Sequence, residues 1–185
     1  MAWQIDPSHT RAVFSVRHMM ITNVRGQFDK VTGTVDFNEA DPARSSVDVQ
    51  IDAASFTTHD EKRDGHLRSG DFLDVEHYPS LTFKGTQAVK IDDNTGKLTG
   101  DLTIRGITHP VTLDVEYNGQ QKTPWGTTNA GFSATTKINR KDWNLNWNVA
   151  LETGGVLVGD TVTITIELEI TKQPEAVAET AAVAA

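Results

Sequence analysis

Three segments of the chain alternate between apolar and polar residues with a period of two. In 46–52, Val47, Val49 and Ile51 alternate with Ser46, Asp48, Gln50 and Asp52. In 111–118, Val111, Leu113, Val115 and Tyr117 alternate with Thr112, Asp114, Glu116 and Asn118. In 161–171, Val162, Ile164, Ile166, Leu168 and Ile170 alternate with Thr and Glu. Side chains of a strand point alternately to opposite faces, so each segment predicts a strand with one dry and one wet face. Weaker versions run through 10–18, 28–37, 81–91, 98–105 and 130–138, and Trp3 and Ile5 begin a strand near the N-terminus. Turn chemistry separates them: Asp92-Asp93-Asn94-Thr95-Gly96 between two strands, a short link over 105–110, and Asn118-Gly119, which can start another turn.

About eight half-wet strands without βα alternation predict an all-β, antiparallel fold. Closing such a sheet on itself removes its edges, so an eight-stranded antiparallel barrel is the expectation. Phe14, Val16, Ile104 and Phe132 fall on the inward phase of their strands. Patterning leaves open whether side chains fill the interior or leave a bore for one slim ligand.

The exception to strand patterning is 59–79, HDEKRDGHLRSGDFLDVEHYP. It sets His59, His66 and His77 among Asp60, Glu61, Asp64, Asp71, Asp74 and Glu76, with Arg63 and Arg68 interleaved. It also carries Leu67, Phe72 and Leu73, which a solvated loop does not need. Three readings fit: a metal or acid–base site, a lid over a cavity, or a plug closing a barrel. The histidine spacings match no tight zinc signature, and Arg63 and Asp64, followed by His66 and Leu67, read as a polar knot fixing the insert to the barrel rim.

Composition narrows the function. The chain has 185 residues and no cysteine, which excludes disulfides, thiol catalysis and thiolate metal sites. Its 25 acids against 17 bases give a net charge of −8, with no basic cluster, so nucleic acid and anionic membrane surfaces are disfavoured partners. No apolar run spans a bilayer, so stable membrane insertion is not expected. The N-terminus MAWQIDPSHT has neither basic nor apolar signal regions, which predicts a cytoplasmic protein. The barrel domain is assigned to 1–172, and the Ala/Glu-rich segment 173–185 is read as a disordered tail. No serine sits in a G-x-S-x-G setting and no Gly-rich loop precedes a helix, so hydrolase and nucleotide-binding motifs are lacking.

Four blocks resemble the YceI-like family, a lipocalin-like group: WQIDPSHTRAVFSVRHMMITNVRGQF, SFTTHDEKRDGHLRSGDFLDVEHYPSLTF, GDLTIRGITHPVTL and FSATTKINRKDWNLNW. They occur in the family's order and extend over nearly the whole chain. The resemblance implies a lipocalin-like barrel, often a homodimer, whose elongated apolar cavity holds an isoprenoid or other amphiphilic chain. Val13, apolar on a wet phase, is a candidate for a dimer surface. The insert then becomes a short helical lid, with Leu67, Phe72 and Leu73 facing the cavity. Phe14, Val16, Ile104 and Phe132 would line it, His18 would sit at the rim, and Trp143, with Trp147, would line the mouth or pack the 140–155 loop onto the barrel. No cofactor is required; a polyisoprenoid, quinone or fatty chain would be the bound ligand. Many relatives begin with a secretion signal and none is expected from this N-terminus, and Asn144 stands where relatives often have Gly. Asn tolerates the left-handed backbone region, so the turn there is expected to survive. The competing class is an enzyme, a hydrolase or another, using the His/Asp/Glu-rich insert 59–77 with or without a metal.

Overall fold

Each antiparallel segment finds its neighbour through a short link, and the pairing closes into a barrel. A computed structural model describes residues 3–172, so the tail read at 173–185 lies outside the described residues. In chain order the elements are β1 (Trp3–Ile5), β2 (Arg11–His18), β3 (Thr22–Phe28), β4 (Val31–Asp36), β5 (Ser46–Asp52), β6 (Phe56–Thr57), the helix α1 (Glu61–Arg68), β7 (Ser80–Lys90), β8 (Thr95–Ile104), β9 (Ile107–Lys122), β10 (Thr128–Asn139) and β11 (Val158–Lys172). Two 3₁₀ turns cover Pro42–Arg44 and Arg140–Trp143. Among the described residues no helix is long and apolar enough to cross a membrane.

Eleven short strands make eight staves. β1 and β2 lie end to end along the same edge of β11: Ile5 pairs with Ile170, and Ala12 with Ile166. β3 and β4 continue one another across Asp29-Lys30, pairing with β2 and β1. β5 and β6 pair in turn with β4 and β3. From β7 to β11 the chain meanders through β8, β9 and β10, each strand antiparallel to the one before. The β1–β11 pairing closes the ring.

Three details differ from the sequence reading. The link read over 105–110 shrinks to Arg105-Gly106, since β9 already begins at Ile107. The strand read over 28–37 is the end of β3 followed by β4, and the rest of β3 escaped notice because Gly26 occupies an inward position. A Cβ at Gly26 would lie 2.1 Å from Phe14 Cζ, so the ring of Phe14 takes the space a side chain would use. Asn118-Gly119 does not turn. β9 runs on to Lys122, Gly119 adopts φ +98°, and a bulge shifts the β9–β10 register between Gly131 and Phe132. The reversal comes later, where Thr123 N–H donates to Thr127 O at 2.8 Å. Asn144 behaves as expected: it ends the second 3₁₀ turn in the left-handed region at φ 59°, ψ 28°.

The two ends of the barrel follow from this topology. One end gathers the β2–β3 turn, α1, the β8–β9 link and the 140–157 loop. The other gathers the Pro42–Arg44 turn, the β7–β8 turn and the β9–β10 turn. Buried apolar side chains form a larger cluster around Phe28, Phe56, Leu81, Ile104 and Trp143, and a smaller one around Trp3, Val35 and Ile170 toward the second end.

A candidate ligand cavity and its lid

The interior is not filled. An elongated cavity of about 1380 Å³ runs between the two ends. Val158 and Leu168, both in its wall, lie ten residues apart on β11. At ~3.3 Å per residue and a tilt of ~40°, that is roughly 25 Å along the barrel axis. Between the ends the wall is mainly Val, Ile, Leu, Phe and Ala. The polar exceptions there are Thr136, whose Oγ1 donates to Thr112 O at 2.9 Å, and Thr10 and Arg11 at the break between β1 and β2. Apart from Arg11, ionisable groups of the lining gather toward the ends: Arg17, His18, Asp60, Lys62, Arg63, His66 and Arg140 at one, Glu39, Lys90, Asp92, Asp93 and Lys97 at the other.

The lid is tied to the barrel by buried charge. Asp60 caps α1 by accepting from Arg63 N–H at 3.0 Å, which holds its carboxyl below the usual 3.8. On the helix's inner side Asp64 is only 6 % exposed and accepts from both Thr58 N–H and Thr58 Oγ1. Arg63 donates to Thr58 Oγ1 at 2.8 Å and to Thr58 O at 2.9 Å. Arg68 reaches Phe56 O at 2.9 Å and lies over the Phe56 ring. Of the polar knot read from sequence, Arg63 and Asp64 take part and Arg68 joins them, while His66 pairs with Asp71 within the insert and Leu67 faces the bore. Downstream, Arg105 donates to Phe72 O at 3.0 Å, so the β8–β9 link holds the second half of the insert.

The three histidines of the insert do not converge. His66 pairs with Asp71 at 2.8 Å, and His77 pairs with Asp74 at 2.8 Å, the latter contact raising the imidazole above 6.5. His59 is exposed with φ 62°. Among the described residues, the group of close carboxylates and imidazole lies elsewhere: Asp6, His9 and Glu169, at the break between β1 and β2. There His9 Nδ1 meets Asp6 Oδ2 at 2.9 Å, and Asn129 already donates to Glu169 Oε1.

Of the residues singled out from sequence, Phe14, Val16, Ile104 and Phe132 line the bore. Leu67, Phe72 and Leu73 of the insert face it from the lid end, and His18 stands at the rim there. Trp143 does not line it. It is 2 % exposed, donates from Nε1 to Leu102 O at 3.0 Å, and packs edge-on against His109. Trp147, four residues on, is the tryptophan in the wall, clustered with His66 at 4.6 Å and Phe72 at 5.4 Å. Val13, the candidate for a dimer face, is half-buried rather than exposed.

Two features were missed. Arg140 is 3 % exposed and its guanidinium donates to the carbonyls of Leu145, Val158 and Gly159, stitching the long loop to β11. Burial pushes its pKa down and nearby Asp160 pushes it up, the burial effect being larger. At the opposite end Phe37 packs against Phe132 at 5.0 Å and Tyr117 at 5.4 Å, narrowing the bore with aromatic rings. Burial, with Glu39 adding to it, raises the Tyr117 hydroxyl above 10.

A closed eight-stave barrel with a helical insert and an apolar bore narrows the field of relatives, and the whole-chain comparison decides it. The YceI-like domain matches residues 3–170. The chain belongs to the YceI-like family. A UPF0312 protein of Staphylococcus aureus strain N315 is 39 % identical over 158 residues, covering 85 % of this chain and 90 % of the relative. Among solved YceI-like structures, the Campylobacter jejuni YceI protein is 34 % identical with a TM-score of 0.73, covering 85 % of this chain and 90 % of that one. Burkholderia cenocepacia BcnA is 25 % identical with a TM-score of 0.77, covering 89 % and 98 %. A polyisoprenoid binding domain from Saccharophagus degradans shares the fold at 13 % identity and a TM-score of 0.67, over 92 % and 98 % of the two chains.

Proposed function

We propose that this protein binds a long isoprenoid or similar amphiphilic chain in its bore and stores or carries it, rather than acting as an enzyme. The observation that carries the reading is the distribution of polarity: some 25 Å of apolar wall with ionisable groups toward its ends. Each methylene withdrawn from water there contributes ~0.8 kcal/mol, so a long chain is held tightly without polar contacts along its length. A polar head group then rests at an end, where Arg, Lys, His and Trp residues stand. The Saccharophagus domain of the same fold is described as polyisoprenoid-binding, which supports the ligand class. The polar residues of the insert support it too, since Asp64, Arg63 and Arg68 hold the lid in place and His66 and His77 are paired with Asp71 and Asp74.

Organic extraction of the purified protein followed by mass spectrometry, with elemental analysis in parallel, tests this. Recovery of an isoprenoid, quinone or fatty-chain compound without stoichiometric metal is the expected result. Stoichiometric metal without lipid would return the reading to an enzyme.

A further inference from the structure

The β2–β3 turn presents large apolar residues to solvent at positions where small polar ones are cheaper. Met19, Met20 and Ile21 are 42 %, 58 % and 76 % exposed. Met19 and Met20 both adopt positive φ, 49° and 65°, and Ile21 N–H closes the turn on His18 O at 3.1 Å. Hairpin turns with two positive-φ residues favour Asn and Gly, so two consecutive methionines there bring both backbone strain and exposed apolar surface. The patch continues onto the adjacent turn. Met19 N–H donates to Leu157 O, Met20 packs against Gly155, and Val149 and Val156 are 48 % and 38 % exposed.

This patch sits at the mouth of the bore: Arg17, His18, Leu157 and Val158, the residues flanking it, line the cavity. Its local charge runs against the overall acidic balance that disfavours anionic surfaces for the chain as a whole. No acid occurs between Asp6 and Asp29, while Arg11, Arg17 and Arg25 do, in a protein of net charge −8. The adjacent turn adds one acid, Glu152. Apolar residues at a tip flanked by Arg fit the interfacial zone of a bilayer, where the tip enters the acyl boundary and the guanidinium groups meet head-group phosphates.

We propose that the Met19-Met20-Ile21 turn docks this protein on a lipid bilayer, setting the lid-end mouth of the bore against the surface from which its chain is drawn. The idea rests on the chain-binding function above. Docking brings the mouth to the one place where an insoluble chain is concentrated, so neither partner has to cross water.

Flotation of the full chain with vesicles of phosphatidylcholine, alone and mixed with phosphatidylglycerol, tests it. The protein floats with both, and the anionic mixture raises binding by about fivefold or more through Arg17 and Arg25. The double variant Met20→Ser/Ile21→Ser lowers vesicle binding by at least about tenfold, with an unchanged melting temperature and the same extractable chain. Trp125→Ser, at an 85 % exposed residue of the opposite end, leaves flotation as it was. Absence of flotation, equal flotation by the double variant, or loss of flotation in Trp125→Ser overturns the proposal. So does a double variant whose light-scattering mass falls from two chains to one, because a second copy then covers the patch. Extraction without any bound chain, alongside intact flotation, would refute chain binding and leave docking standing.

Discussion

The two ends of the barrel are closed by opposite means. At the lid end a helical insert lies across the bore, fixed by polar bonds: Asp64 on Thr58, Arg63 on the same residue and Arg68 on Phe56 O, while Arg140 holds the neighbouring loop through the carbonyls of Leu145, Val158 and Gly159. At the other end the closure is a tight turn and aromatic packing. Asp92 accepts from Asn94 N–H, Thr95 N–H and Thr95 Oγ1, and Phe37, Tyr117 and Phe132 crowd the wall. Directional bonds hold the insert alongside its packed Leu67, Phe72 and Leu73, and bonds that share partners depend on one another. Ring packing is non-directional and yields gradually. We expect the lid end to open as a unit and the aromatic end to act as the fixed stop.

The strongest way to break this contrast is to place a charge in the wall they share. Ile104 is 6 % exposed and lines the bore near the lid. Ile104→Glu leaves a buried carboxylate without a partner, and we expect a loss of more than about 3 kcal/mol together with loss of bound chain. Wild-type stability in denaturant and wild-type ligand content would show that its side chain does not face the bore.

Cutting the knot comes next. Asp64→Ala removes the acceptor of Thr58 N–H and Thr58 Oγ1, and should cost about 2–3 kcal/mol. The loss should be local. Hydrogen exchange over residues 58–79 should accelerate while β9 and β10 keep their protection; uniform acceleration would remove the distinction between the ends.

At the fixed end, Phe132→Ala removes one ring from a half-buried cluster and should cost about 2 kcal/mol, lowering the melting temperature by roughly 4–8 °C. Exchange at the lid should stay unchanged, and a lid that loosens in this variant would show the ends to be coupled.

The smallest effect is on pH. The Asp6 carboxylate raises His9 above 6.5, and the same contact holds Asp6 below 3.8. The stability from the raised His is complete below pH 6.5 and is lost as pH rises through its folded value. The share from the depressed Asp is complete above pH 3.8 and is lost as pH falls below it. The pair is thus strongest between those limits. His9→Ala should narrow the melting-temperature gap to wild type as pH rises from 6 to 8, and a constant gap would mean the pair is not formed.

Much of the fold was legible because one face of each stave is dry. β5, β9 and β11 show the period-two pattern openly, and the punctuation between them implied antiparallel links. β3 was hidden because its inward Gly26 makes room for Phe14, a cross-strand fact no single strand displays. Asn118-Gly119 reads as a turn but supplies a bulge, since the positive φ that suits a turn also suits an extra residue in a ladder. At the site, strand phase placed Phe14, Val16, Ile104 and Phe132 correctly in the wall. Phase says nothing within loops, so Trp143 and Trp147 could not be told apart: the left-handed Asn144 between them sends the first onto Leu102 O and the second to the lid. Arg140 drew no notice in the sequence because its acceptors at Leu145, Val158 and Gly159 come from later in the chain.

Native mass spectrometry of the intact protein, compared with Ala134→Phe, tests the central claim most directly. Ala134 lines the bore between Val115 and Ile166, and a ring there fills the space a chain would occupy. The account predicts one chain-sized mass per 20.3 kDa barrel in the wild type and its absence in a folded Ala134→Phe variant. A bare wild-type mass after incubation with a polyprenyl lipid, or a bound mass that survives the filled bore, would contradict it.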